Sequence, residues 1–334
     1  MPIPFLFIGI GAGAAALGVG KTVKAGIDQK DANETNSQAQ SIADRATQAA
    51  NRSREASGKA VTDLGTQKIF VLDHSMKPFI ASFEKLHNVE LSNTVGMDEL
   101  QKFRIDKQSL QELKEMSSMA TSLLGGAASG AALGAITAFG AYGGVMAFGA
   151  ASTGTAIATL SGAAATNATL AFLGGGSLAV GGLGMAGGTA VLGGLVAGPA
   201  LAVMGFVLGA KASANRDAAY SNLAKARAYE EEMKTVRMLC SGIRMRATMF
   251  ERLLLKLNAI FEPLVIGLEQ IITESGTDFS RYTPQQKATV AAGLSIAGAI
   301  KAVLDTPILS EDGNLTEESG QIFADTQKVI DQYE

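Results

Sequence analysis

The stretch Ala15-Ala16-Leu17-Gly18-Val19-Gly20-Lys21-Thr22 comes nearest to chemistry by residue type and spacing. It fits the loose form of a phosphate-binding loop, with Ala in place of the first glycine. In such a loop backbone N–H groups cradle phosphates, Lys21 would reach the β and γ oxygens, and Thr22 would hold a divalent metal. An apolar run, residues 5–10, precedes it, and Ile69-Phe70-Val71-Leu72-Asp73 imitates the apolar strand whose terminal Asp positions magnesium. The surroundings argue against a working site. A phosphate-binding loop needs a parallel sheet of several apolar strands, whereas residues 23–67 read as polar helix. The stretch reads better as an apolar anchor that ends in basic residues.

Other chemistry is sparse. His74 and His87 are the only histidines, thirteen residues apart, with no cysteine or carboxylate cluster at metal-ligand spacing. Each reads as a surface or helix-face residue. Glu311-Asp312-Gly313 is acidic, but a calcium loop wants side-chain oxygens before its glycine and a Glu six residues after it, and that place is Ser319. It reads as a turn. Cys240 is the only cysteine, which excludes an internal disulfide and fits a small buried residue in a reducing compartment. No catalytic residue, cofactor or metal is therefore expected, and the chain reads as a non-enzyme.

The strongest signal lies elsewhere. Residues 116–210 contain no Asp, Glu, Lys, Arg or His, although charged residues make up 18% of the chain. A solvent-facing segment of that length would normally carry well over a dozen charges. The zone holds 23 of the 39 glycines, is rich in Ala, and has one proline, Pro199. An apolar run of about 18 residues already suggests a membrane span, and this zone has room for three or four.

Glycines recur four apart within it: Gly126, Gly130 and Gly134; Gly140 and Gly144; Gly184 and Gly188; Gly194 and Gly198; Gly205 and Gly209. Residues i and i+4 share a helix face, so each set would make a smooth groove for a neighbouring helix in lipid. Between them stand large apolar residues, Leu133, Phe139, Phe148, Leu170, Phe172, Leu195 and Phe206. Glycine also weakens helices in water by about 1 kcal/mol each relative to Ala. The zone is thus suited to fold away in a soluble form and insert later.

The flanks must position it. Residues 1–24 form an apolar N-terminal helix or anchor, followed rather than preceded by Lys21 and Lys24, which is the wrong polarity for a cleaved secretory signal. Residues 25–115 read as a polar helical bundle segment. There Ile42, Ala46, Ala49, Ala56 and Ala60 make a weak heptad stripe interrupted by Ser53. Met76, Phe79, Ile80, Phe83 and Leu86 follow at helical spacing, and Leu100, Phe103, Leu110 and Leu113 mark a further amphipathic helix.

Residues 211–275 form a long amphipathic helix, regular for about 50 residues to Glu262, where Pro263 is expected to disturb it. Residues 276–334 are a small helical segment that restarts at Thr283-Pro284 and again at Thr316. The expected fold is all-α, with long helices flanking a Gly/Ala-rich apolar membrane-active hairpin region. Basic residues flank the uncharged zone at both ends, so both flanks should stay cytoplasmic and the crossings should be even in number.

The runs Ser161-Gly-Ala-Ala-Ala-Thr-Asn-Ala-Thr-Leu170, Gly174-Gly-Gly-Ser-Leu178 and Val191-Leu-Gly-Gly-Leu-Val-Ala-Gly-Pro-Ala200 resemble an uncharacterised family of bacterial proteins. The run through Gly20-Lys21-Thr22 and residues 301–315 share that resemblance, which implies no activity or site residues. In architecture alone, polar helices around an apolar Gly-rich hairpin are similar to α-helical pore-forming proteins.

Three functional readings are open at this point. The first is a membrane-inserting protein that oligomerises with its own kind and permeabilises a bilayer, as a toxin or defence effector would. The second is a stable membrane scaffold or signalling protein whose cytoplasmic helices bind partner proteins. The third is a nucleotide-binding switch using the 15–22 loop. Net charge is −3 and basic residues are spread out, so nucleic acid is not an expected partner. The expected location is at a membrane, with soluble parts cytoplasmic.

Overall fold

A computed structural model describes residues 21–89, 107–125, 136, 137, 139–141, 143, 216–310 and 314–333. Among these residues every regular element is helical, with no strand and only two isolated bridges, His87 with Asp278 and Leu309 with Leu315. Residues 1–20 of the expected 1–24 anchor and most of the uncharged zone lie outside the described residues.

The chain divides into two compact units, Met1–Thr47 with Gly205–Met233, and Gln48–Met204 with Lys234–Glu334. Each draws on both halves of the sequence. In the first unit Ala39, Leu223 and Ala226 pack together with Ile42 beside them. Polar pairs join the same two stretches, Thr47 Oγ1 with the Tyr229 hydroxyl at 3.0 Å and Asn222 Nδ2 donating to Asn36 Oδ1 at 3.0 Å.

Helix α1, Lys21–Val71, runs for 51 residues, a length permitted by the lack of proline and the abundance of alanine. Its buried seam is Ala39, Ala43, Ala46, Ala50, Arg54, Ser57, Val61, Leu64, Lys68 and Val71. That differs from the expected stripe: Ala46 and Ala60 are buried, whereas Ile42, Ala49 and Ala56 are half-exposed. Alanine occupies several angular positions of this helix, so its spacing gives a period without a register. Tertiary contacts choose the face, and that face includes a lysine and an arginine.

A π-helical turn, Leu72–Met76, continues α1 into α2, Lys77–Phe83. The widened turn ends two residues before Pro78, which offers no N–H to the helical ladder. The Ile69 to Asp73 run is therefore helical, which removes the strand that a nucleotide site would require. Helix α3 spans Lys107–Gly125 and carries the first residues of the uncharged zone, with Met116 and Ala120 buried.

Helix α4, Arg216–Ser275, extends 60 residues and passes through Pro263 without ending. The disturbance expected at Pro263 does not end the helix. Pro263 stands on the exposed side, while Phe261, Val265 and Leu268 are buried around it, so packing offsets the roughly 3 kcal/mol a helix-interior proline costs.

Helix α5, Pro284–Asp305, begins at a capping box: Gln286 N donates to Thr283 Oγ1, and Thr283 N donates to Gln286 Oε1. It is the one described helix long and apolar enough to cross a membrane, with mean hydropathy 1.5. Here 61% of that window is buried, because α5 is the central helix of the second unit. Phe79 packs on Phe261 with ring centroids 5.1 Å apart and lies against Gly293 of α5, where a Cβ would stand 3.1 Å from its ring. Helix α6, Glu317–Asp331, closes the chain from an N-cap at Thr316.

Candidate functional site

Of the residues singled out in the uncharged zone, only Phe139 and Gly140 are described. Gly126, Gly130, Gly134, Gly144, Gly184, Gly188, Gly194, Gly198, Gly205 and Gly209 lie outside the described residues. So do Leu133, Phe148, Leu170, Phe172, Leu195 and Phe206. Phe139 and Gly140 are both buried, on a helical stretch that includes Ile136, Thr137, Ala141 and Gly143.

That stretch meets α1 backbone to backbone. A Cβ on Gly140 would sit 2.1 Å from Val61 O, and one on Gly65 would sit 1.9 Å from Ile136 O. Neither position has room for any side chain, so two glycines set the approach of these helices. Thr62 Oγ1 and Thr137 Oγ1 share a hydrogen bond of 2.8 Å beside them. Gly143 has φ +77° and would place a Cβ 2.2 Å from Asp305 O, so it answers both a conformational and a steric demand.

Lys68 occupies the centre of this contact. It is fully buried, and its Nζ donates to Phe139 O and to Leu304 O, each at 3.1 Å. The same nitrogen lies 5.1 Å from the centroid of the Phe139 ring, within cation–π range. Burial pushes its pKa down to about 7, with the Asp305 carboxylate opposing the shift. Near neutral pH the amine and ammonium forms are thus comparably populated.

Carbonyls of the uncharged stretch that lie outside their own helical ladder find partners from the far end of the chain. Ala141 O accepts from Ile308 N at 2.8 Å and from Leu309 N at 3.1 Å. Next to Lys68, Lys301 bonds Asp305 Oδ2 and reaches Glu112 Oε2 at 2.9 Å, which ties α3 to α5. Burial pulls the Lys301 pKa down, and its bonds to Asp305 and Glu112 outweigh that and raise it. Asp305 Oδ1 is buried with no hydrogen-bond partner and faces the field of Lys68.

Sequence reading missed Lys68 because lysine is expected at the surface. The available signal was position: Val61, Leu64, Lys68 and Val71 continue one three-and-four spacing. Gly65 lies on the same spacing, four after Val61 and three before Lys68, and a single glycine in a polar helix gives no sign of a close backbone contact.

The other flagged residues are not gathered into a site. Lys21 and Thr22 begin α1. His74 stacks on Phe70 with centroids 4.2 Å apart and is exposed beside Asp73. His87 is exposed, and its backbone pairs with Thr277 and Phe279. Cys240 is a free, buried thiol on α4. Ser319 Oγ accepts from Arg246 Nη1 at 2.8 Å, and the Glu311 to Gly313 turn is outside the described residues. Among the described residues no three His, Cys, Asp or Glu side chains are grouped to hold a metal.

A surface groove of about 460 Å³ lies between α2 and α3, bordered by Lys77, Glu84, Lys114 and Thr121. Its charges are already paired, Lys114 with Glu84 at 2.8 Å and Lys77 with Asp73 at 3.5 Å. Thr121 Oγ1 donates to Asp73 at 2.6 Å and, with Lys77, holds that carboxyl below the usual carboxylate range. The groove offers neither an activated nucleophile nor a poised base. The buried contact around Lys68 joins α1 to Phe139 and to the end of α5.

No protein-family model, curated protein or solved structure matches the chain.

Proposed function

We propose that this chain is a membrane-inserting α-helical protein that oligomerises and permeabilises a lipid bilayer, in the manner of a toxin or defence effector. The reading rests on residues 116–210, which carry no Asp, Glu, Lys, Arg or His and hold most of the glycine. Lipid tolerates such a segment, and its recurrent glycines suit close helix packing there. The observation that favours a stored segment is how the described residues 136, 137, 139–141 and 143 are held. They dock through glycine contacts and carbonyl acceptors together with the buried side chains of Ile136 and Phe139. Held in this way, their apolar side chains are kept from water until lipid is present.

In this account the charged helices keep the chain soluble until the uncharged zone meets lipid. Copies then pack along the glycine faces, since close backbone approach is what drives helix association in a bilayer. No catalytic residue takes part.

An environment-sensitive fluorophore on Leu170→Cys, in a Cys240→Ser background, tests the entry step. Adding vesicles should shift its emission to the blue and expose it to a lipid-borne quencher. Emission unchanged by vesicles, at protein concentrations that leak dye, would place the active part elsewhere.

A further inference from the structure

One face of α4 differs from the rest of the surface. Counting by threes and fours from Lys234, the positions 237, 238, 241, 244, 245, 248, 252, 255 and 256 fall on a single stripe. The stripe carries five basic residues, Lys234, Arg237, Arg244, Arg252 and Lys256, all exposed. The one acid between residues 234 and 256, Glu251, stands at the edge of the stripe seven residues after Arg244, is half-buried, and acts on Lys59.

The same stripe exposes large apolar side chains. Met238 is 67% exposed, Met245 63% and Leu255 49%. A merely solvated helix face would show the charges without these residues. The opposite face is the ordinary one: Ile243, Phe250, Leu253, Leu254 and Leu257 are buried in the core of the second unit. The helix is thus apolar inward, and basic and apolar together outward.

We infer that the 234–256 face of α4 is a docking surface for an anionic lipid bilayer. A cluster of about four to eight Lys or Arg on an amphipathic helix attracts negatively charged headgroups. Met and Leu on the same face enter the boundary between headgroup and acyl chain, as in helices that lie in the membrane plane. Charge complementarity singles out acidic lipid, and the interleaved Met and Leu favour a bilayer over a purely ionic polymer. The inference rests on the membrane reading above for its choice of partner, and it supplies what that reading lacks, the lipid class and the surface that first meets it.

The experiment is vesicle sedimentation of the full chain, with phosphatidylcholine alone and with about 30% phosphatidylglycerol. The parent should bind the anionic vesicles, release them at high salt, and bind neutral vesicles far less. Arg237→Gln/Arg244→Gln/Arg252→Gln should weaken partition about 100-fold, and Met238→Ser/Met245→Ser should weaken binding with the salt dependence retained. All these positions are exposed, and circular dichroism checks that the variants remain folded.

Equal binding of the triple variant and the parent overturns the inference, as does equal binding of neutral and anionic vesicles. Tighter binding to heparin than to anionic vesicles also overturns it and assigns the face to a polyanion. The two claims separate cleanly. Anionic-vesicle binding without dye leakage keeps the docking surface and removes the pore reading. Leakage by a triple variant that still binds like the parent does the reverse.

Discussion

Lys68 and Leu304 lie 236 positions apart in the chain, and the lysine Nζ donates to the leucine carbonyl at 3.1 Å in the middle of the core. With Phe139 O as its second acceptor, this one nitrogen ties α1, the uncharged stretch and the end of α5 together. The groups facing it are the Asp305 carboxylate and, through that carboxylate, Lys301 and Glu112.

The Lys68 pKa makes stability depend on pH with a defined sign. In the unfolded chain it titrates at its ordinary value of 10.5, and in the fold at about 7. Between those values the unfolded state binds more protons, so stability rises with pH by up to about 1.4 kcal/mol per unit and is lost as pH falls from 10.5 toward 7. Lys68→Met should remove this contribution. Urea unfolding of both proteins across pH 7 to about 10 measures it, and the difference in unfolding free energy should grow with pH. A constant difference would mean that Lys68 keeps its ordinary pKa.

Glycine substitutions should divide by what a Cβ would strike. Gly65→Ala and Gly140→Ala drive a methyl into backbone carbonyls at 1.9 and 2.1 Å and should cost about 1–3 kcal/mol or more. Gly143→Ala adds the strain of φ +77° to a similar collision. Gly276 has φ +78° but nothing within 4 Å, so Gly276→Ala should cost only about 1 kcal/mol, from the backbone alone. Denaturation midpoints rank the four, and equal losses would contradict the backbone-contact account of residues 136–143.

Much of the helical punctuation is legible in the sequence. Thr283-Pro284 marks the start of α5 because a capping hydroxyl and a first-turn proline act locally, and Thr316 marks α6 for the same reason. What could not be read is tertiary. Pro263 argues for a break, yet the flanking buried residues keep α4 continuous. Ile42 looks like a seam residue, yet the seam passes through Ala43, Arg54 and Lys68. Phe139 and Gly140 have the pattern of lipid-facing and groove residues, and they pack on Lys68 and Gly65 in a helical core. A close glycine contact has the same pattern in both settings, because it is set by the missing Cβ rather than by the solvent.

The nucleotide reading predicts little at Lys21. With Ile69 to Asp73 helical, the magnesium-positioning strand is missing, so titration of the full chain with ATP or GTP should give no saturable micromolar binding. Lys21→Ala should leave vesicle leakage nearly intact. Saturable binding abolished by that substitution would restore a nucleotide switch.

The flanks of the uncharged zone should face one side of the membrane. Ser109 lies on α3 before the zone and Ser221 on α4 after it. Single cysteines at these positions, in a Cys240→Ser background, should be labelled from the same side in intact and permeabilised cells. Labelling from opposite sides would require an odd number of crossings and end the hairpin reading.

Dye release from loaded vesicles bears most directly on the claim that residues 116–210 enter the bilayer. The parent should release dye, and Leu133→Asp, Leu170→Asp and Leu195→Asp should each suppress release, since an acidic residue at mid-bilayer costs about 2.5–3.5 kcal/mol. Charged variants that stay folded and release dye as fast as the parent would contradict the account, as would a parent that releases none.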